Sequence, residues 1–131
     1  MQRLRAGVGL TMPSVAVIGA SNSPGKFGNK AVRAYLRQGW TVFPVNPREA
    51  ATIEGLKVYP TIEDILQRVD RVALYVPPEV GVTLLPAIAR KGPGELFVNP
   101  GAESEALLDA ADKLGLNVIQ ACAIVDIGER P

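Results

Sequence analysis

The sequence predicts an α/β domain of three layers, a doubly wound parallel sheet of five strands with helices on both faces. Three observations predict it. Five short runs rich in aliphatic and β-branched residues alternate with amphipathic stretches of helical period. Hydrophobic residues make up 47% of the chain but aromatic ones only 5%, which suits strands buried on both faces. The first apolar run ends in a Gly-rich turn that leads straight into a helical pattern.

The chain has 131 residues, one domain by size. A chain of this length can bury roughly two-thirds of its unfolded surface and needs no metal or disulfide to hold a core. Net charge is +1, from 14 basic and 13 acidic residues, so no basic excess points to nucleic acid. The single cysteine, Cys122, excludes an internal disulfide and fits a reducing compartment. The absence of histidine excludes the commonest general base, a His-ligated metal, a Ser-His-Asp triad and a phosphohistidine. Residues 1–13 carry Arg3, Arg5 and a short apolar run over 6–10, too short for a signal-peptide core or a membrane span. The expectation is a loosely docked leader over 1–13, a single domain over 14–131, and a cytoplasmic protein that engages no membrane.

The first strand is expected over residues 15–19, and the first helix from Phe27 or Gly28 to Gly39. Ala31, Val32, Tyr35 and Leu36 fall on one face of that helix, and Lys30, Arg33 and Arg37 on the other. Residues 40–45 form the second strand, and an irregular connection with a turn at Gly55 follows. Thr61 and Asp64 resemble a capping box that opens a short helix to about Val69. Ile62, Ile65, Leu66 and Val69 would be its apolar stripe. The third strand is 71–76, stopped by Pro77-Pro78. A helix over 80–90 should be kinked or divided at Pro86. The fourth strand is 95–98, the next helix 103–114 and the fifth strand 117–120; residues 121–131 match no clear element.

In a sheet of this kind ligands bind beyond the carboxyl ends of the strands, where the strand order reverses. Four strand ends carry loop-forming residues suited to such a crevice: Gly19-Ala20-Ser21-Asn22-Ser23-Pro24-Gly25, Asn46-Pro47-Arg48, Val76-Pro77-Pro78 and Asn99-Pro100-Gly101. Glycines in a strand-to-helix turn let the backbone approach an anion, and the helix start adds free N–H groups and a positive dipole end. The same residue types also occur in turns that bind nothing. The glycines at 19, 25 and 28 do not match the dinucleotide spacing, and Asn46-Pro47-Arg48 stands where an acid would hold the ribose. An arginine there suits an extra phosphate on the adenosine ribose, which both NADP and coenzyme A carry. Gly25-Lys26 is followed by Phe27, so the Walker pattern fails as well.

The motifs Ile18-Gly19-Ala20-Ser21-Asn22-Ser23-Pro24-Gly25-Lys26-Phe27-Gly28, Pro44-Val45-Asn46-Pro47 and Tyr75-Val76-Pro77-Pro78, with the late Cys122, carry a resemblance. The chain resembles small stand-alone CoA-binding proteins. It is similar to the CoA-binding Rossmann domain of the succinyl-CoA synthetase α subunit and of ADP-forming acetyl-CoA synthetases. The resemblance covers about residues 14–128. It implies a Rossmann-like fold with five parallel strands. It implies that Gly19, Ala20, Ser21, Asn22, Ser23 and Pro24 hold CoA phosphates and adenosine, with Lys26 and Phe27 beside them. Arg48, with Asn46 and Pro47, falls near the place of a phosphate-contacting lysine. Val76, Pro77 and Pro78 match a wall of the adenine and pantetheine site. Val98, Asn99, Pro100 and Gly101 match the segment beside the pantetheine arm, although the synthetases have Thr-Glu where this chain has Asn99-Pro100.

The synthetases also use a phosphorylated histidine in a following domain and a nucleotide-grasp partner, and this chain holds neither. The implied function is therefore non-catalytic binding of coenzyme A or an acyl-CoA, as carrier, sensor or partner subunit. The implied partners are CoA and either another protein or a second copy of this chain. Two alternatives stand beside it. One is the NADP-binding domain of a reductase, and the other a redox regulator in which Cys122 forms a mixed disulfide with the CoA thiol. Against the latter, a cysteine after an apolar strand is usually a buried small hydrophobe. Lys26 and Arg33 are further cations near the loop; Arg33 is read as part of a solvated helix face.

Overall fold

The computed structural model describes residues 12–49 and 51–131. Of the expected leader, residues 1–11 lie outside the described residues. The chain runs β1 (Ser14–Ile18), α1 (Phe27–Arg37), β2 (Thr41–Val45), β3 (Thr52–Ile53), β4 (Leu56–Lys57), a 3-10 turn (Ile62–Asp64), β5 (Arg71–Leu74), α2 (Pro78–Lys91), β6 (Glu95–Val98), α3 (Glu105–Lys113), β7 (Val118–Gln120) and α4 (Ala123–Asp126).

Five strands form one parallel sheet in the order β2-β1-β5-β6-β7. The order reverses between β1 and β5, which pair from Val15 with Arg71 to Ile18 with Leu74. Alternate strand residues feed two apolar layers. Ala16, Ile18, Val72, Leu74 and Leu96 meet Leu85 and Ile88 of α2 and Leu107 and Ala111 of α3. Val15, Val17, Ala73 and Phe97 meet Ala31, Val32 and Tyr35 of α1 and Ala123 and Ile124 of α4. The three-layer α/β fold of five parallel strands expected from the sequence is the observed one. β3 and β4 form a separate small hairpin through Glu54 and Gly55.

Four local expectations need correction. The helix expected over 61–69 is only a 3-10 turn. Thr61 does donate from its N–H and its hydroxyl to the Asp64 carboxylate, at 3.1 and 3.0 Å. Beyond it, side chains capture the carbonyls a helix would need: Lys91 Nζ donates to Ile65, and Ser14 Oγ donates to Arg68 at 2.7 Å. Ile62, Ile65 and Val69 still reach the core, but Leu66 is 92% exposed. Second, α2 runs unbroken through Pro86, because that residue lies on the solvent face, where water can satisfy the freed carbonyl. Third, residues 123–126 form the short helix α4, which the sequence did not reveal. Fourth, Trp40 lies outside β2 and packs edge-on against Tyr35, ring centroids 4.8 Å apart.

At the amino end of β5 the Arg71 guanidinium is buried between the rings of Phe97 and Trp40, 4.2 and 4.9 Å from their centroids. It pairs with Glu95 and Asp126, each at 2.8 Å, and donates to the Tyr35 hydroxyl at 3.2 Å. Tyr35 in turn donates to the Ala123 carbonyl at 2.8 Å. This cluster locks α4 and β6 to the sheet at the end opposite the strand-end loops.

Candidate functional site

The carboxyl ends of β1, β2, β5 and β6 surround a cleft of about 760 Å³ at the point where the strand order reverses. Each loop arrives there for a local reason. β1 ends at Gly19, whose φ of +93° and contact with the Tyr75 carbonyl leave no space for a side chain. Its N–H donates to Val45 at 3.0 Å, and the Tyr75 N–H donates to Ile18 at 2.8 Å. These bonds extend the sheet by one step on either side before the loops diverge.

The glycine loop is held by its own hydroxyl and by side chains from neighbouring elements. The buried Ser21 Oγ accepts the Ser23 N–H at 3.0 Å. Asn46 Nδ2 donates to the Ala20 carbonyl at 2.8 Å, and Asn46 Oδ1 accepts the Arg48 N–H at 2.8 Å. The loop and the second strand end are thus fixed by one asparagine. Asn29, fully buried in the first turn of α1, donates to the Ser21 carbonyl at 2.9 Å and to Glu54 at 3.1 Å. Arg33 steadies it, donating to Asn29 Oδ1 at 2.7 Å and to the Pro24 carbonyl at 2.9 Å. Arg33 therefore braces the loop, where the sequence suggested a solvated helix face.

The electrostatics of the cleft favour an anion. Lys26 stands at the N-cap of α1, and the first turn of that helix contains no acidic residue. The N–H groups of Phe27 and Gly28 have no acceptor among the described residues. Lys26 and Arg48 line the cleft, and neither makes an ion pair among the described residues. Glu49 is the one acidic residue in the lining. Such an arrangement supplies N–H donors, a helix dipole and two cations to a phosphorylated ligand.

The lining includes Gly19, Ser21, Ser23, Lys26, Phe27, Asn46 and Arg48 from the first two strand ends. It also includes Val76, Pro77 and Pro78 after β5, and Asn99, Pro100 and Gly101 after β6. A second hollow of about 510 Å³ continues past Arg48 and Pro77, with Pro47, Pro60, Val80 and Leu84 in its mostly apolar wall.

Six predicted site residues do not line the cleft, one of which, Pro47, lines the adjoining hollow instead. Ala20 and Val98 are buried, and the exposed side chains of Asn22 and Pro24 lie outside the lining, that of Asn22 donating to the Thr52 carbonyl. Cys122 caps α4 and packs in the layer beneath it, so the structure does not place it in the crevice. The Asn99 side chain is already engaged: Nδ2 donates to Leu74 at 3.0 Å, and Oδ1 accepts the Ala123 N–H at 2.8 Å. It joins the ends of β5 and β6 to α4.

Sequence reasoning missed Asn29, Glu49 and Tyr75 as parts of the site. A polar residue in a helical stretch that otherwise alternates apolar and basic side chains was the available signal for Asn29. Tyr75 lines the cleft while its ring packs into the α1 and α4 layer, where its hydroxyl is buried without a partner among the described residues. Burial, and then the neighbouring Cys122, push the phenol well above its ordinary pKa, so it remains protonated.

The chain is similar to known proteins over most of its length. The family model for a CoA binding domain matches residues 13–128. The chain is 33% identical over 116 residues to the alpha subunit of ADP-forming acetate–CoA ligase II of Pyrococcus furiosus, a match covering 80% of this chain and 25% of the relative. It is 34% identical over 117 residues to ADP-forming acetate–CoA ligase II of Archaeoglobus fulgidus, covering 80% and 17%. The chain therefore spans a quarter or less of these curated relatives. Among solved structures, a conserved hypothetical protein from Pyrococcus furiosus superposes with a TM-score of 0.80 at 34% identity, covering 88% of this chain and 99% of that one. The dinucleotide-forming acetyl-coenzyme A synthetase 1 of Ca. Korarchaeum cryptofilum, in complex with phosphate and ADP, gives 0.72 at 30% identity, covering 82% and 25%.

Proposed function

This chain belongs to the CoA binding domain family, and from that premise we propose that it binds coenzyme A or an acyl-CoA in the strand-end cleft without transforming it. The observation that carries the reading is convergence on one cleft of the Gly/Ser loop, the start of α1 with no side-chain cap, and the cations Lys26 and Arg48, which pair with no carboxylate among the described residues. Coenzyme A has a phosphate-rich adenosine end and a long, uncharged pantetheine arm. The charged loop suits the first. The adjoining apolar hollow, walled by Pro47, Val80 and Leu84, adds room for an uncharged part of the same ligand.

Binding without catalysis is supported by the lining itself. It contains no histidine, its charged residues are Lys26, Arg48 and Glu49, and its one phenol is held protonated. Such a set can hold and orient an anion. In this reading the protein acts as a carrier, a sensor or a subunit that presents CoA to another protein.

Thermal denaturation with CoA, acetyl-CoA, NADP, NAD and ATP tests the reading. A ligand that binds only the folded state stabilises it by about 2.7 kcal/mol at a hundred times its dissociation constant. A raised midpoint with CoA and acetyl-CoA alone is expected. A shift with NADP and none with CoA would overturn the proposal in favour of a reductase cofactor domain.

A further inference from the structure

Glu49 puts a carboxylate on the tip of the glycine loop. Its Oε1 accepts the backbone N–H of Asn22 at 2.7 Å. Glu49 lines the cleft, yet it pairs with no cation among the described residues, although Arg48 precedes it in the chain. Its segment is tied to the loop on both sides. Asn46 donates to the Ala20 carbonyl at 2.8 Å, and the Asn22 side chain donates to the Thr52 carbonyl at 3.1 Å. Between those ties the Glu49 side chain leans back over the loop and engages the kind of backbone donor that the loop would present to a ligand phosphate.

One N–H cannot serve a carboxylate and a phosphate oxygen at full strength, and two anions held close together repel each other. We propose that the Glu49 carboxylate is a resident anion of the glycine loop. It occupies the Asn22 N–H in the free protein, and a phosphate-bearing ligand binds by displacing it. The identity of that ligand rests on the CoA reading above. The carboxylate keeps the empty loop ordered, and it lowers affinity for any ligand that carries phosphate. Ligands without phosphate do not compete with it. Glu49 thereby sets how tightly the site holds its ligand and how readily it lets go.

Calorimetric titration of wild type, Glu49→Gln and Glu49→Ala tests this, with CoA, pantetheine and inorganic pyrophosphate as probes. The Asn22 amide is followed by NMR in the same three proteins. Glutamine keeps the size of the side chain and removes its charge. Both variants should bind CoA and pyrophosphate about tenfold more tightly, with a gain that shrinks as salt is added, and should bind pantetheine as wild type does. The Asn22 amide resonance should move in the free Glu49→Ala protein. Wild type that binds CoA alongside variants that bind it no more tightly would overturn the displacement. If none of the three proteins binds CoA, the coenzyme reading fails and pyrophosphate decides separately. A gain in pyrophosphate affinity then upholds the displacement, and the lack of one overturns it. An unmoved Asn22 amide in Glu49→Ala overturns it whatever the ligand.

Discussion

The Gly19 carbonyl oxygen lies 2.0 Å from the position that a Cβ on Gly28 would take. The start of α1 therefore rests on the end of β1 with no room for a methyl group, and the loop between them closes through that contact. Gly28→Ala should force the two apart. Overpacking against rigid backbone costs about 1–3 kcal/mol, and the displaced loop should lose CoA as well. Gly25→Ala is the control, because a Cβ there meets nothing within 4 Å. Its stability should stay within about 0.5 kcal/mol of wild type. Urea unfolding and CoA titration of both variants check the contrast.

Arg48 projects into the cleft without a carboxylate partner among the described residues. If its guanidinium pairs with a ligand phosphate, Arg48→Ala should weaken CoA by about 1–3 kcal/mol. Wild type should prefer CoA to dephospho-CoA, and the variant should show little preference. Equal affinity of wild type for the two forms would remove Arg48 from this role. Its exposure means that the substitution should leave the melting temperature of the free protein unchanged.

The fold was legible where one residue pattern served one structural need. Val15, Val17 and Ile18 run straight into Gly19, so that strand end and its loop declared themselves, whereas β5 stops at Leu74, two residues before the Val76-Pro77 junction the sequence suggested. Local pattern misled where tertiary bonds replaced local ones. Ile62, Ile65 and Val69 have helical spacing, yet Lys91 and Ser14 take up the carbonyls of Ile65 and Arg68, and the segment stays irregular. Pro86 looked like a break because sequence does not say which face of a helix meets water. At the site, the glycines, prolines and polar residues that line the cleft were visible as loop formers, but Tyr75 was not. Those that fix the loop from a distance, Asn29 and Glu49, were not, since their partners lie 8 or more positions away.

Asn29 should matter to the loop although it does not touch the cleft. Its amide joins the Ser21 carbonyl to Glu54, and its oxygen receives Arg33. Asn29→Leu is close in volume but leaves the Ser21 carbonyl and Glu54 without that donor and takes one of the acceptors of Arg33. A loss of about 1–3 kcal/mol in urea unfolding is expected. Amide hydrogen exchange across residues 20–26 should rise more than in the sheet, because the loop loses its tie to α1. Uniform exchange across the whole chain would assign Asn29 to general stability alone.

Arg71 provides the opposite case, a residue that should matter to stability and not to the ligand. It lies at the amino end of β5, whereas the cleft lies beyond the carboxyl ends. Arg71→Met can still fill the space between Phe97 and Trp40, but it strands Glu95 and Asp126. Those carboxylates are 35% and 43% exposed, so water recovers part of their solvation. The loss should therefore fall at about 1–3 kcal/mol, below the 3–5 kcal/mol that breaking a fully buried pair costs. Arg71→Lys should recover only part of it, because an ammonium cannot reach two carboxylates and a phenol while lying flat between two rings. Both variants, measured where they remain folded, should bind CoA as wild type does. Gly28→Ala is expected to lose stability and ligand together, so the pair of substitutions separates the frame of the sheet from the loop it carries. If Arg71→Met weakened CoA in the folded protein, the two ends of β5 would be coupled, and the cleft could not be treated as a local construction of the strand-end loops.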